Sequence, residues 1–415
     1  ASLLDLTSPA AWAWGLAIYA KGIDQGSDGW MADFCEWAPA DALYHSGQDG
    51  ALVHNAYPRM YQQLNRQLLD DRFNKDGVER LTFVRSAWLG SQPLVDVLWA
   101  GDQQTDWSQG DGIASVIPMA LGLGISGFPF FAHDIGGYFS GFTVETSKEL
   151  WFRWVTLGAL SPVMRTHHGK SAKKNWNWES DEASIAHMRR WSTWHTLLLP
   201  YLWQMAQVAH DHGTPLMRPL ALGWPDFEPG WTATDTFLLG DRVVVAPVLE
   251  ANATSRKVSL PGGKWFRLRW GQPDAAPPPT GAIMEVPKGG GEVSVDVAMD
   301  DIAMFVPAGT VLPLLYDPPQ TLVGPGGKAP IIAANRELWL YPGGEGDWQG
   351  ALSVQWRASQ LAAWGPELRF NGAAIAAKAG VVEISGPGTL QVGDKATLTI
   401  GDGHEPVAKV RLRLR

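Results

Sequence analysis

Through about residue 220 the chain alternates short apolar runs with longer stretches whose apolar positions recur at helical spacing. Leu3–Leu6 is a short apolar run. Ser8-Pro9 then offers an N-cap followed by Pro at the first helical position, and a helix is predicted to about Ala20. Gly29–Phe34, Phe83–Arg85, Val95–Ala100 and Phe128–Ala132 read as strands. Helices are predicted around Gly112–Gly124 and Thr143–Leu157, and one long helix over Ile185–Ala209. Alternation of this kind predicts a parallel sheet or a (β/α) barrel. Beyond about Leu216 the texture changes to strand-like segments separated by Gly and Pro: Phe237–Leu239, Val243–Ala246, Arg256–Leu260 and Trp265–Trp270. Residues 273–280 read as a loop. From about Leu314 to Arg415 more short β segments follow, including Glu337–Tyr341, Leu352–Arg357 and Val407–Leu414, as in an all-β sandwich.

Length turns this pattern into a domain plan. The 415 residues, 45% of them hydrophobic, suffice for two or three domains of roughly 100–200 residues each. The expected division is 1–215 for the α/β part, 216–312 for a proximal β-sandwich and 313–415 for a distal β-rich domain. A net charge of −9 without long runs of one sign argues against nucleic acid and anionic membrane as partners, since both attract a basic face. No stretch reaches the ~18–20 apolar residues that span a bilayer. Trp is in excess, 22 residues, a weak pointer to carbohydrate because indole faces stack on sugar rings; any single Trp also serves as core filler. Cys35 is the only cysteine, so no intrachain disulfide can form, which fits a reducing compartment such as the cytoplasm.

Polar residues cluster at the ends of the predicted strands, where a barrel carries its chemistry. Asp33 ends Gly29–Ala32, Arg85 ends Phe83-Val84, Asp102 follows Leu98–Gly101, Asp134 follows Phe130–His133, and Arg165 and His167 follow Pro162–Met164. Each alone has a plain alternative, since an Asp after a strand also caps helices and turns. Five such strand ends together point to a site. Paired carboxyl groups are what glycoside hydrolysis needs, one as nucleophile or base and one as proton donor.

These residues carry a resemblance. Trp30-Met31-Ala32-Asp33-Phe34-Cys35-Glu36-Trp37 resembles the nucleophile motif of glycoside hydrolase family 31, and Trp99-Ala100-Gly101-Asp102 with Trp107 resembles its acid/base motif. Phe131–Gly137, Met164–His167 and Gly240-Asp241 with Val245–Val248 resemble further signatures in the same order. The resemblance spans roughly residues 3–270. It implies a (β/α)8 TIM-type barrel, present from about strand three onward with Leu3–Leu6 as that strand, followed by one or two C-terminal β-sandwich domains. It implies Asp33 as nucleophile, Asp102 as acid/base, and Arg85, Trp99, Asp134 and His167 as groups around the sugar, with no metal and no organic cofactor. Within the family the likeness is to sulfoquinovosidases, through Met31–Phe34, His54–Ala56, Trp99–Gln103, Arg165–His167, Asn175-Trp176 and Tyr138, whose hydroxyl would donate to a sulfonate. An α-glucosidase, an α-xylosidase, a transglycosylase, or an inactive carbohydrate-binding or scaffold subunit are the alternatives.

Two departures stand out. Cys35 occupies a position where the resembled enzymes usually have Gly, and an inert thiol is expected there. The resembled enzymes also have an N-terminal domain and two barrel strands ahead of this segment, so a missing N-terminal half or a partner chain is expected to complete the barrel.

Overall fold

A computed structural model describes residues 3–140, 144–167, 169, 171–271, 283–308 and 310–315, then Tyr341 and the strands between 335 and 414 given below. The predicted loop at 273–280 lies outside the described residues. The first half contains α1 (Pro9–Asp24), β1 (Gly29–Ala32), α2 (Gly50–His54), α3 (Tyr57–Asp76), β2 (Leu81–Val84), β3 (Val97–Trp99), α4 (Val116–Ile125), β4 (Phe131–Ala132), α5 (Lys148–Ala159), α6 (Glu182–Leu197) and α7 (Leu199–His212). The four strands form one parallel sheet in the order β1-β2-β3-β4. A parallel bridge from Ile135 to Thr166 brings the segment before α6 alongside the chain leaving β4. Parallel pairing of successive strands puts all their C-terminal ends on one edge, which aligns residues 33, 85, 102 and 134. This is the α/β-barrel half of an α/β-plus-β architecture.

Local chemistry decides where the elements begin and end. Ser147 accepts the Leu150 N–H at 3.2 Å, so α5 starts after this cap and not at residue 143. The stretch predicted as one long helix is two, α6 and α7, meeting at Leu198. Pro200 has no N–H to continue the ladder and sits where a new first turn tolerates it. Leu3–Leu6 is not a strand. Asp5 accepts the Thr7 and His45 N–H groups at 2.9 and 2.7 Å and the Thr7 hydroxyl at 2.6 Å, and the Tyr57 hydroxyl takes the Leu4 carbonyl. The run turns, and Leu6 is buried beside Ala32 and Leu98 without joining the ladder.

The second half builds a β domain against the helices. Strands β5 (Met217–Arg218), β6 (Phe237–Leu239), β7 (Val243–Ala246), β8 (Ser255–Leu260), β9 (Gly263–Leu268), β10 (Ile283–Val286), β11 (Gly291–Asp296) and β12 (Ala303–Pro307) follow in order. Six of them form an antiparallel sheet, β10-β9-β12-β7-β6-β5, and β8 pairs with β11. The sheet is buried on both faces. Phe237, Leu239, Val243, Val245, Met304 and Val306 face a core shared with α5, α6 and α7. Leu238, Val244, Ala246, Ala303 and Phe305 face a second core closed by Val258 and Leu260 of β8. Burial on two faces explains why β7 reads as a continuous apolar run without alternation. Arg153 of α5, 2% exposed, ties the two halves by donating to the carbonyls of Ala253, Ala298 and Asp301 at 2.8, 2.6 and 3.3 Å.

Strand β13 (Val311–Leu315) opens the distal part. It continues with β14 (Asn335–Leu340), β15 (Gly346–Trp348), β16 (Leu352–Trp356), β17 (Leu368–Asn371), β18 (Ile375–Lys378), β19 (Val381–Ser385), β20 (Gly388–Val392), β21 (Ala396–Ile400) and β22 (Lys409–Leu414). They form two five-stranded sheets, β13-β14-β22-β19-β18 and β15-β16-β21-β20-β17.

Candidate active site

The centre of the site is a cation, Arg85, just past β2 and between the residues that leave β1 and β3. Its Nε lies 3.2 Å from Asp33 Oδ1, and its Nη1 lies 3.5 Å from Asp102 Oδ1. Its shortest contacts are to Glu36, whose Oε1 is 2.7 Å from Nε and 2.6 Å from Nη2. One guanidinium therefore serves three carboxylates, a geometry its planar fork permits and a lysine would not. The resemblance implies Arg85 as a group around the sugar; in the structure its nitrogens contact the three carboxylates around it.

Glu36 reaches Arg85 because the chain after β1 reverses its twist. Phe34 and Cys35 have φ of 65° and 77°, a left-handed pair that neither residue adopts readily. The turn is anchored at both ends. The Phe34 N–H donates to Asp33 Oδ1 at 2.8 Å, and the Ser86 hydroxyl donates to the Phe34 carbonyl at 2.7 Å. Asp33 thus receives a backbone donor as well as the cation, while Asp102 receives the guanidinium at longer range. Burial pushes the Cys35 thiol up to about 12, with the charges of Glu36 and Asp33 adding to the effect. The inert thiol expected from the sequence follows.

Beyond β4 a second cation pairs with a second carboxylate. Asp134 is fully buried, and Arg165 Nη1 lies 2.5 Å from its Oδ1. Burial raises the Asp134 carboxyl to about 7; Arg165 opposes the rise, and the like charges of Asp102 and Asp33 add to it. Those last contributions place Asp134 within electrostatic reach of Asp102 and Asp33. Arg165 lies over Phe83 and Trp99, 4.9 and 5.9 Å from their ring centroids. Trp99 is 1% exposed and meets Phe83 edge-on at 5.4 Å, so it packs beneath Arg165.

Tyr138 and His167 form the remaining side. Their rings stack at 4.6 Å with 14° between planes. The Tyr138 N–H donates to the Gln103 carbonyl at 2.9 Å, which sets it next to Asp102. The ring also packs so closely on Gly169 that a Cβ there would lie 2.7 Å from it. His133, beside Asp134, has a purely structural place. It accepts the Trp154 indole N–H at Nδ1 (3.0 Å), so its Nε2–H donates to Ser161 Oγ (2.9 Å), and burial holds it neutral with a pKa of about 3.

The structure thus gathers Asp33, Arg85, Asp102 and Asp134 at one sheet edge, with Trp99 beneath and Tyr138 and His167 at the side. Sequence reasoning gave no role to Glu36 or Arg165. Arg165 was visible as a strand-end charge; Glu36 was not, because nothing in the letters Phe-Cys signals a left-handed turn.

Residues 1–205 match the glycosyl hydrolases family 31 TIM-barrel domain, and residues 213–312 match that family's C-terminal domain. The sulfoquinovosidase of Escherichia coli (strain K12) is 40% identical over 271 residues, covering 65% of this chain and 40% of that protein. The sulfoquinovosidase of Agrobacterium fabrum is 35% identical over 323 residues, 77% of this chain and 46% of that protein. A solved family 31 sulfoquinovosidase from E. rectale, in complex with an aza-sugar inhibitor, superimposes with a TM-score of 0.67 at 31% identity, over 74% of this chain and 44% of that one. Proteins named as α-glucosidase and α-xylosidase also match. The chain spans less than half the length of the sulfoquinovosidases it matches.

Proposed function

Because the chain belongs to glycoside hydrolase family 31, we propose that it forms the catalytic part of a retaining α-glycosidase acting on α-sulfoquinovosides. The observation that carries this reading is the single Arg85 guanidinium reaching both Asp33 and Asp102. Two carboxyl groups fixed about one cation are the minimum equipment for double displacement.

Asp33 attacks the anomeric carbon and forms a glycosyl ester. Asp102 gives its proton to the departing oxygen, then takes one from the water that hydrolyses the ester. Arg85 neutralises part of the carboxylate charge throughout and keeps both groups in register. Asp134, fully buried, holds Arg165 beside the glycone, and Trp99 supports that cation from below.

The sulfonate assignment rests on Tyr138 and on the sulfoquinovosidase relatives. A sulfonate is a permanent anion with three acceptor oxygens, so a site that binds it needs dedicated donors. The Tyr138 hydroxyl, on a ring packed against His167 and Gly169, is such a donor. The test compares 4-nitrophenyl α-sulfoquinovoside with the α-glucoside and follows the released sugar by NMR. Faster release from the sulfoquinovoside with an α product upholds the reading. Preference for the glucoside removes the sulfonate, and an inverted product removes the mechanism.

A further inference from the structure

Phe34 and Trp37 are 53% and 68% exposed, with ring centroids 5.8 Å apart and planes tilted by 44°. They stand at the reaction centre. Arg85 Cζ is 4.5 Å from the Phe34 ring and 5.2 Å from the Trp37 ring, and the same guanidinium touches Asp33 and Asp102. The backbone that presents them is the left-handed pair at Phe34 and Cys35, held by Asp33 and Ser86. Strain of this kind persists only where the surroundings enforce it, and it gathers at functional sites.

The two groups of residues differ in chemistry. Around Asp134, Arg165, Tyr138 and His167 the site is polar and suits a hydroxyl-rich glycone. Around Phe34 and Trp37 it offers two ring faces beside a cation. We propose that Phe34 and Trp37 form the subsite for the leaving group, and that this subsite favours α-glycosides whose aglycone carries a flat apolar group such as an aryl ring. The proposal rests on the α-glycosidase reading for its substrate. Ring stacking supplies the attraction, and Arg85 behind the rings fixes their orientation.

The test uses the full-length protein, with the Trp37→Ala and Trp37→Phe variants and two α-glycosides that share one glycone, a methyl and a 4-nitrophenyl glycoside. Trp37→Ala should lower kcat/KM for the aryl glycoside about tenfold more than for the methyl glycoside, mainly through KM. Trp37→Phe should restore most of the difference. Equal effects on both glycosides overturn the proposal. Saturation-transfer NMR separates it from the hydrolase reading. If the wild type turns over neither glycoside, transfer to the aryl protons that disappears in Trp37→Ala upholds the subsite while the hydrolase reading fails. Absence of that transfer overturns the subsite.

Discussion

Glu36 Oε1 is 2.6 Å from Arg85 Nη2 and 2.7 Å from Arg85 Nε, closer than Asp33 or Asp102 comes to the same cation. This contact predicts a positioning role for Glu36. It orients the guanidinium that Asp33 and Asp102 share, and its other oxygen, Oε2, is buried with no hydrogen-bond partner among the described residues. Glu36→Gln keeps the size but weakens the charge-assisted contacts. The expected result is a fall in kcat of about 10²-fold with KM changed much less, because misplacement acts on the transition state. The pH profile should shift as well, since one fixed negative charge beside Asp33 and Asp102 is gone. An unchanged pH profile would leave Glu36 with a packing role only.

Arg85 itself answers to a different substitution. Lysine conserves the charge but places it at a point, and a point cannot hold three carboxylates. Arg85→Lys should lower kcat by about 10²–10³-fold, in the range seen when one preorganised electrostatic contact is removed. Circular dichroism and thermal melting check that the fold survives. Activity within a few-fold of wild type would show that charge alone, without the fork, organises the site.

Much of this arrangement was legible in the sequence, and the rest fails for identifiable reasons. Strand–helix alternation gave β1 to β4, and the polar residue after each strand gave Asp33, Arg85, Asp102 and Asp134, because parallel topology turns strand ends into one edge. The fully buried sheet was legible in Val243–Val248, whose unbroken apolar run needs cover on two faces. Leu3–Leu6 misled because its pattern is strand-like while its backbone is diverted by Asp5 and Tyr57, contacts far apart in sequence. Pro200 carried the break between α6 and α7 in plain view, but the apolar spacing on either side outweighed it. Glu36 depended on φ at Phe34 and Cys35, which residue type does not report.

Cys35 sits at φ 77°, where a β-carbon costs roughly 1–2 kcal/mol and glycine's extra unfolded-state entropy offsets roughly 0.5–1 kcal/mol of any relief. Cys35→Gly is therefore expected to be neutral or to stabilise by up to about 1 kcal/mol in denaturant titration. The thiol, pushed up to about 12 by burial and the neighbouring carboxylates, should resist iodoacetamide at pH 8 in the native protein and react once it is unfolded. Native labelling at the rate of an exposed thiol would contradict the burial.

Arg153 makes a separable prediction about stability. It is 2% exposed and satisfies the carbonyls of Ala253, Ala298 and Asp301 across the junction of α5 with the β domain. Arg153→Met keeps the apolar stem and leaves these carbonyls short of a donor. A loss of about 3 kcal/mol is expected, read as a lower denaturation midpoint, with kcat of the folded fraction unchanged because Arg153 touches none of the site groups. A loss below about 0.5 kcal/mol would show that water replaces the guanidinium.

Asp134 links the site to pH. Its carboxyl is raised from the ordinary 3.8 to about 7, chiefly by burial and against the pull of Arg165. Between about pH 4 and pH 7 the folded protein therefore holds a proton at Asp134 that the unfolded chain has released. Stability from this group is fully present below the unfolded value and is lost as pH rises through the folded one. Asp134→Asn removes the titration while keeping the shape and an oxygen for Arg165. At pH 5 wild type and variant should differ little; at pH 8 the wild type bears a buried carboxylate that the variant lacks, so the variant should gain relative to it. Denaturant titrations of both proteins at the two pH values measure this difference of differences. The opposite sign, with the variant losing ground as pH rises, would mean that the ion pair with Arg165 outweighs the burial of its carboxylate and that Asp134 is charged throughout the range in which the site works.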